Sequence, residues 1–154
     1  MLLLIGFLFM LFIVFVIGIL SGTGLMFIDL PSALIVIVPL IFFLIASKSG
    51  SAIGRYFKTS FTKEHTYSGP ELAGLSTAVR NTIKFIFGIG GLGFISGIIG
   101  SFANLQNRDM LGPNIAVSLI TVLYSIALSY FVFFPTQAWA ENKLNSLKGE
   151  TEER

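Results

Sequence analysis

Cysteine is absent from the 154-residue chain, and histidine and tryptophan occur once each. The sequence therefore excludes a disulfide, a thiolate nucleophile and a cysteine-based metal site. Charged residues make up only 12% of the chain, which is about half of what a soluble domain of this size carries. The basic residues are scattered along polar segments, so we find no basic patch of the kind that binds nucleic acid.

Apolar residues are abundant instead, at 54% of the chain, with a mean hydropathy of +0.85. Four segments approach the roughly 20 apolar residues that cross a bilayer, at about 2–20, 32–46, 83–105 and 113–134. They predict an all-α, polytopic membrane protein of four transmembrane helices, forming one domain over residues 1–154. The first run lacks a basic start and exceeds a signal-peptide core in length, so we interpret it as a retained membrane helix.

Prolines and an aspartate predict where the helices begin and end. Pro31 suits the start of the second membrane helix, and Asp29 before it is either a cap or an ion-entry carboxylate. The third helix is expected to begin near Pro70, outside the membrane. Pro113 is expected in the first turn of the fourth helix, and Pro135 is expected to end or kink it.

The polar segments predict the orientation of the chain. Residues 48–81 carry five basic side chains against two acidic ones, and the tail at 136–154 adds three more. The connections on the opposite side hold one basic residue and two acidic ones. By the positive-inside rule, the 48–81 loop, the tail and both termini are cytoplasmic.

Two helical stripes of small or polar residues stand out from the apolar background. The first lies on the third helix at helical spacing, at Gly90, Gly93, Gly97, Gly100 and Asn104. The second lies on the fourth helix, at Ser118, Thr121, Ser125 and Ser129. Glycine stripes indicate close helix packing, whereas hydroxyl stripes indicate either back-bonding to helix carbonyls or an ion path. The pattern alone leaves both interpretations open.

No carboxylate, histidine or lysine lies near the middle of any predicted span. A protein that binds and releases protons within the bilayer usually holds an ionisable group there. If this chain moves ions, another polypeptide is expected to supply the titrating group. No catalytic set can be assembled either, because the single histidine, His65, lies in the polar loop. We therefore predict no enzyme, no metal and no cofactor.

Three stretches of the sequence resemble the MotA/TolQ/ExbB family of proton-channel subunits, its MotA branch most of all. They are residues 27–36 leading into the second span, Gly93-x3-Gly97-x2-Gly100 on the third, and residues 116–135 on the fourth. Four spans with a cytoplasmic loop between the second and third also agree with that family.

The resemblance implies a homopentameric ring in the bacterial cytoplasmic membrane. It surrounds a single-span partner of the MotB/TolR/ExbD type, whose membrane aspartate binds the ion, and ion flow drives a stator-type motor. The ion pathway would be lined by Ser96, Gly97, Gly100, Ser118, Thr121, Val122 and Ser125. Gly90, Gly93 and Pro135 would pack against the partner.

Departures from the family pattern refine this expectation. Gly97 stands where the third helix usually has threonine, with Ser96 beside it, and Val122 replaces the second threonine of the fourth helix. Without these two threonines the pathway has fewer oxygen ligands. Sodium needs several such ligands, so protons are favoured as the coupling ion. The 48–81 loop is short, which favours a minimal motor serving a machine other than the flagellum. The alternatives are a non-conducting scaffold ring of the same fold and a small transporter working alone.

Overall fold

A computed structural model describes residues 28–62, 67–103, 105–106 and 108–152, with residues 8–9, 12–13, 16–20 and 22 from the N-terminal segment. All secondary structure in these residues is helical, so the predicted all-α class is confirmed. The helices are α1 (Leu30–Ala46), α2 (Ser49–Thr62), α3 (Gly69–Ala103), α4 (Arg108–Leu128) and α5 (Phe134–Glu152). His65 and Asn104 lie outside the described residues.

Helix α1 begins at a side-chain cap. The Asp29 carboxylate accepts a hydrogen bond from the Ser32 backbone N–H at 2.8 Å, and Pro31 occupies the first turn, where a missing N–H costs nothing. This contact confirms the capping interpretation of Asp29. Pro39 lies within the helix. The helix ends at Ser47, whose backbone N–H donates to the Phe43 carbonyl at 2.9 Å.

Helix α2 runs at 103° to α1 across a short break. Lys48 makes this turn with a φ of 54°, a left-handed conformation that glycine usually occupies. The inner face of α2 buries Ile53 and Tyr56, while Arg55 on its outer face pairs with Glu71 of α3 at 3.1 Å. The polar segment predicted as a loop therefore contains an amphipathic helix.

Helix α3 starts with the side chain of Glu71 turned back onto Ser68. Ser68 donates from its backbone N–H and its hydroxyl to the Glu71 carboxylate, each at 3.0 Å, and Gly69 and Pro70 lie between them. This confirms the predicted start near Pro70. Helix α4, in contrast, begins at Arg108, so the expectation that Pro113 lies in its first turn is wrong.

Pro135 does not end the last helix, contrary to one of the two predicted outcomes. A π-helical turn, Ser129–Phe133, joins α4 to α5, and the Phe134 N–H donates to the Ser129 carbonyl, five residues back. Proline lacks an N–H and crowds the carbonyl four residues before it. A wider turn immediately ahead of Pro135 removes that crowding, so the helix continues to Glu152.

Two long helices provide the candidate membrane spans. Gly69–Ala103 and the continuous helix Asp109–Gly149 are long and apolar enough to cross a bilayer, and α1 with α2 counts as a third only if the bent pair is one span. The predicted first span at 2–20 lies largely outside the described residues. Many apolar side chains on α3 and α4 point outward, such as Leu92 at 68% and Leu119 at 55% exposure, as lipid or a neighbouring chain requires.

Replacing Asp29 tests whether its carboxylate sets the start of α1. Asp29→Ala should lower the free energy of unfolding by about 1 kcal/mol, because the Ser32 N–H loses its acceptor. Asp29→Asn is the control, since an amide oxygen also caps a helix. Detergent-titrated unfolding followed by circular dichroism measures both. An equal loss of stability in the two variants would show that the charge of Asp29, and not its capping hydrogen bond, stabilises the start of α1.

Candidate functional site: a glycine–hydroxyl helix interface

The two predicted stripes face each other inside one chain. A Cβ added at Gly90 would lie 2.5 Å from Ser125 Oγ, and one added at Gly93 would lie 2.5 Å from Thr121 Cγ2. A Cβ at Gly97 would overlap Ser118 Oγ. Each of these three glycines thus packs against one hydroxyl-bearing side chain of α4. The absence of side chains on α3 permits this close approach.

The hydroxyls of the α4 stripe bond back to their own helix. Ser118 Oγ donates to the Asn114 carbonyl at 2.7 Å, and Thr121 Oγ1 donates to the Val117 carbonyl at 2.9 Å. Ser125 Oγ donates to the Thr121 carbonyl at 3.0 Å. All three side chains are only 1% exposed. The packing and back-bonding interpretations therefore both describe this subunit, whose hydroxyls are satisfied without a ligand.

Ser129 departs from this pattern. Its Oγ is buried and has no hydrogen-bond partner among the described residues. It is also the first residue of the π-helical turn, where the backbone leaves the regular α pattern. An unsatisfied buried hydroxyl costs about 1–3 kcal/mol, so Ser129 is a destabilising position within the π-helical turn before Pro135.

The start of α1 is attached to the same interface through contacts that the sequence did not predict. Ser32 Oγ donates to the Val117 carbonyl at 3.1 Å, the same oxygen that accepts from Thr121. The Asp29 backbone N–H donates to Tyr124 Oη at 3.1 Å. The only sequence signal for these contacts was a serine three residues after a capping aspartate. That signal does not indicate which helix the serine contacts.

A groove of about 770 Å³ runs along the outside of the interface between α1, α3 and α4. Five predicted site residues line it: Ser96, Gly97, Ser118 and Thr121 from the pathway set and Gly93 from the partner-packing set. Of these, Ser96 is exposed on the surface of the subunit. Apart from Lys84, the other side chains on its walls are apolar, among them Ile35, Pro39 and Leu92.

The remaining predicted residues lie elsewhere. Val122 is half-buried, and its Cα is 3.9 Å from a Cβ added at Gly90. Gly100 has open space where a Cβ would be, so it does not continue the glycine–hydroxyl contact. Pro135 is half-buried next to the π-helical turn. Within the chain, Gly90 and Gly93 pack on α4, so their predicted contact with a partner stays a prediction.

Residues 67–82 and 136–152 form one end of the helical hairpin, which we call the polar end. A second polar cluster joins α3 to α5 there. Glu141 Oε1 accepts hydrogen bonds from Gln137, Arg80 and Ser76, each at 2.9 Å. These donors, Gln137 first, lower the pKa of Glu141 below its ordinary value of 4.5. The spacing of Gln137 and Glu141, four residues apart, was the only sequence signal.

Aromatic side chains cover the same end. The Trp139 ring lies 4.9 Å from Tyr56 of α2 and 5.5 Å from Tyr67, centroid to centroid. Tyr67 and Thr59 share a hydrogen bond through their hydroxyls. This cluster packs α2 against the polar ends of α3 and α5.

Long apolar helices, a close glycine–hydroxyl interface and a polar end define a helical membrane protein. The model of the MotA/TolQ/ExbB proton channel family matches residues 45–153, which is most of the chain. The chain belongs to the MotA/TolQ/ExbB proton channel family.

Individual relatives match shorter segments. Uncharacterized protein YtxD of Bacillus subtilis (strain 168) is 40% identical over 57 residues, covering 37% of this chain and 21% of that protein. Chemotaxis protein PomA of Vibrio alginolyticus is 38% identical over 47 residues, covering 30% and 19%. The match therefore spans about a fifth of the length of these curated relatives. No solved structure matches the chain.

Adding a methyl group at Gly97 tests the close approach of α3 and α4. Gly97→Ala should lower the free energy of unfolding by about 1–3 kcal/mol, because the new Cβ overlaps Ser118. Gly91→Ala is the matched control: it has open space, so it should be neutral or stabilising by up to about 1 kcal/mol. Detergent-titrated unfolding measures both.

A size swap sharpens this test. Gly97→Ala combined with Ser118→Gly restores the space and should recover much of the lost stability. Destabilisation of the same size in Gly91→Ala, or no recovery in the double variant, would contradict the interface.

Acidification tests the Glu141 cluster. Because the folded pKa lies below the unfolded one, the stabilisation is complete above about pH 4.5 and is lost as the pH falls through the folded pKa. The fluorescence of Trp139, the single tryptophan, should report this loosening. Glu141→Gln should remove that acid transition. It should lower the free energy of unfolding by at most about 1 kcal/mol at neutral pH, because the Arg80–Glu141 ion pair is partly exposed. Asp109→Asn, a distant control, should leave the transition unchanged.

Proposed function

We propose that the chain is the ring-forming subunit of an ion-driven, stator-type motor in the bacterial cytoplasmic membrane, with protons as the coupling ion. The observation that carries this proposal is the family match over residues 45–153, because the described helices have the long, apolar character that a channel wall requires. The motor would convert ion-motive force into mechanical work on another protein.

The composition of the long helices supports a division of roles between two polypeptides. Residues 85–103 of α3 and 110–134 of α4 and the π-helical turn contain no carboxylate, histidine, lysine or arginine. A chain of this kind does not hold and release a proton in the bilayer by itself. The proposal therefore includes a single-span partner of the MotB/TolR/ExbD type that brings a membrane aspartate, and it assigns no catalysis to this chain.

The proposed assembly is a homopentamer of four-span subunits. Residues 2–20 would form the first span, and both termini and the 48–81 segment would face the cytoplasm. The large apolar exposure of α3 and α4 supports burial against neighbouring copies, lipid or the partner. Because the 48–81 segment is short, a machine other than the flagellar rotor is the preferred load.

The proposed ion pathway follows the surface of α3 and its junction with α4. Ser96 is exposed and Gly100 has open space beside it, so both can face a central partner without rearrangement. Ser118, Thr121 and Ser125 would contribute only if the ring opens the interface, because in the single chain they are buried and bonded.

This burial favours the second candidate function, a non-conducting scaffold ring of the same fold. The hydrogens of these hydroxyls are donated to carbonyls of their own helix, so they are not available to a water chain. Burial keeps the oxygen lone pairs of the same hydroxyls away from water. The two functions share the ring and the partner and differ only in ion flow.

Proton uptake into liposomes distinguishes the two functions. The chain is co-reconstituted with the single-span protein that co-purifies with it, and a pH-sensitive dye reports acidification under a membrane potential. Conduction predicts uptake that falls to the leak of empty liposomes when the partner's membrane aspartate is changed to asparagine. Uptake that equals the leak of empty liposomes with and without that aspartate contradicts the motor and leaves the scaffold, whereas equal uptake above that leak contradicts both.

Native mass spectrometry of the same material tests the assembly. A homopentamer with the single-span protein supports the proposal, whereas a monomer contradicts both candidate functions. Ser96→Ala should reduce uptake if the pathway follows α3. Ser101→Ala is the control, because Ser101 is buried and bonds to the Gly97 carbonyl at 2.9 Å.

A further inference from the structure

The groove between α1, α3 and α4 has the shape of a site for a long apolar ligand. Its volume is about 770 Å³, within the range of sites for small organic ligands. Ile35, Pro39, Phe85 and Leu92 are among the side chains that line it. Gly88 forms part of its wall, and a Cβ added there would meet nothing within 4 Å. The glycine thus leaves free volume on the helix surface.

One end of the groove carries a single positive charge. Lys84 is exposed and lines the groove, and it makes no ion pair within the described residues. Phe85 beside it is fixed by stacking on Phe43, with ring centroids 4.1 Å apart. An unpaired ammonium above an apolar channel suits an amphiphile with an anionic head.

The depth of Lys84 agrees with the surface of a bilayer. The apolar part of α3 beyond it, residues 85–103, rises about 28 Å at about 1.5 Å per residue, close to the roughly 30 Å hydrocarbon core. Lys84 therefore lies at one boundary of that core. The groove reaches from Lys84 to Gly97, a rise of about 20 Å, which covers the roughly 15 Å depth of one leaflet.

We propose that this groove binds one anionic phospholipid, with its phosphate at Lys84 and an acyl chain along Gly88 and Leu92 toward Gly97. Charge complementarity selects this occupant over a zwitterionic lipid. The inference needs only that the chain is embedded in a membrane.

Two pairs of variants test the site. Gly88→Leu fills the groove, and Gly91→Leu is its matched control, because both positions are open but only Gly88 lines the groove. Lys84→Gln removes the head-group contact, and Lys48→Gln removes an equal charge outside the groove. The full chain is purified into nanodiscs that contain phosphatidylglycerol and phosphatidylcholine, and native mass spectrometry counts the retained lipids.

The wild type should retain phosphatidylglycerol in preference to phosphatidylcholine. Lys84→Gln should lower that retention about fivefold and Gly88→Leu at least as much, while both controls behave as the wild type. Thermal unfolding checks that each variant folds; if Gly88→Leu does not, the lysine pair decides alone. Equal loss in a variant and its control would overturn the site, as would no loss in either. Loss of oligomers in Gly88→Leu with lipid retention unchanged would also overturn it, by assigning the groove to a second copy of this chain.

Discussion

The close approach of α3 to α4 is the constraint on which the rest of the structure depends. Inside a bilayer, burial of apolar side chains gives helices little reason to associate, because lipid is equally apolar. Contact has to come from backbones that can approach closely, and Gly90, Gly93 and Gly97 permit that. The hydroxyls that fill these gaps take part in the packing, and Ser32 of α1 joins them at the Val117 carbonyl.

This packing limits what the chain can do by itself. Apart from the Asn114 amide, the polar side chains in its apolar part carry hydroxyls, and those of Ser118, Thr121 and Ser125 are already bonded to the helix. A subunit of this kind makes a wall, and the proposed motor requires a partner's carboxylate to supply the charge. The unsatisfied hydroxyl of Ser129 beside the π-helical turn is the exception, and it lies where the helix must pass Pro135.

Outside the apolar region, different interactions take over. Glu141 accepts hydrogen bonds from three donors on α3 and α5. Trp139 packs with Tyr56 and Tyr67, so hydrogen bonds and aromatic contacts together stabilise the polar end. Lys48 turns the chain at the cost of a left-handed backbone. The molecule thus has three parts: the interface between α3 and α4, the surface that carries the proposed lipid groove, and the polar end.

Local pattern in the sequence determined the helical class and the start of α3 and favoured the Asp29 cap, because hydropathy, periodicity and capping act between near neighbours in the chain. It also identified both stripes. Only the tertiary structure decided that the stripes meet each other, that Ser32 and Tyr124 attach α1 to α4, and that Glu141 joins α3 to α5. It also decided that the helix passes through Pro113 and Pro135. Such outcomes depend on which helix faces which, and on neighbours that stabilise a proline inside a helix, and no local pattern encodes either.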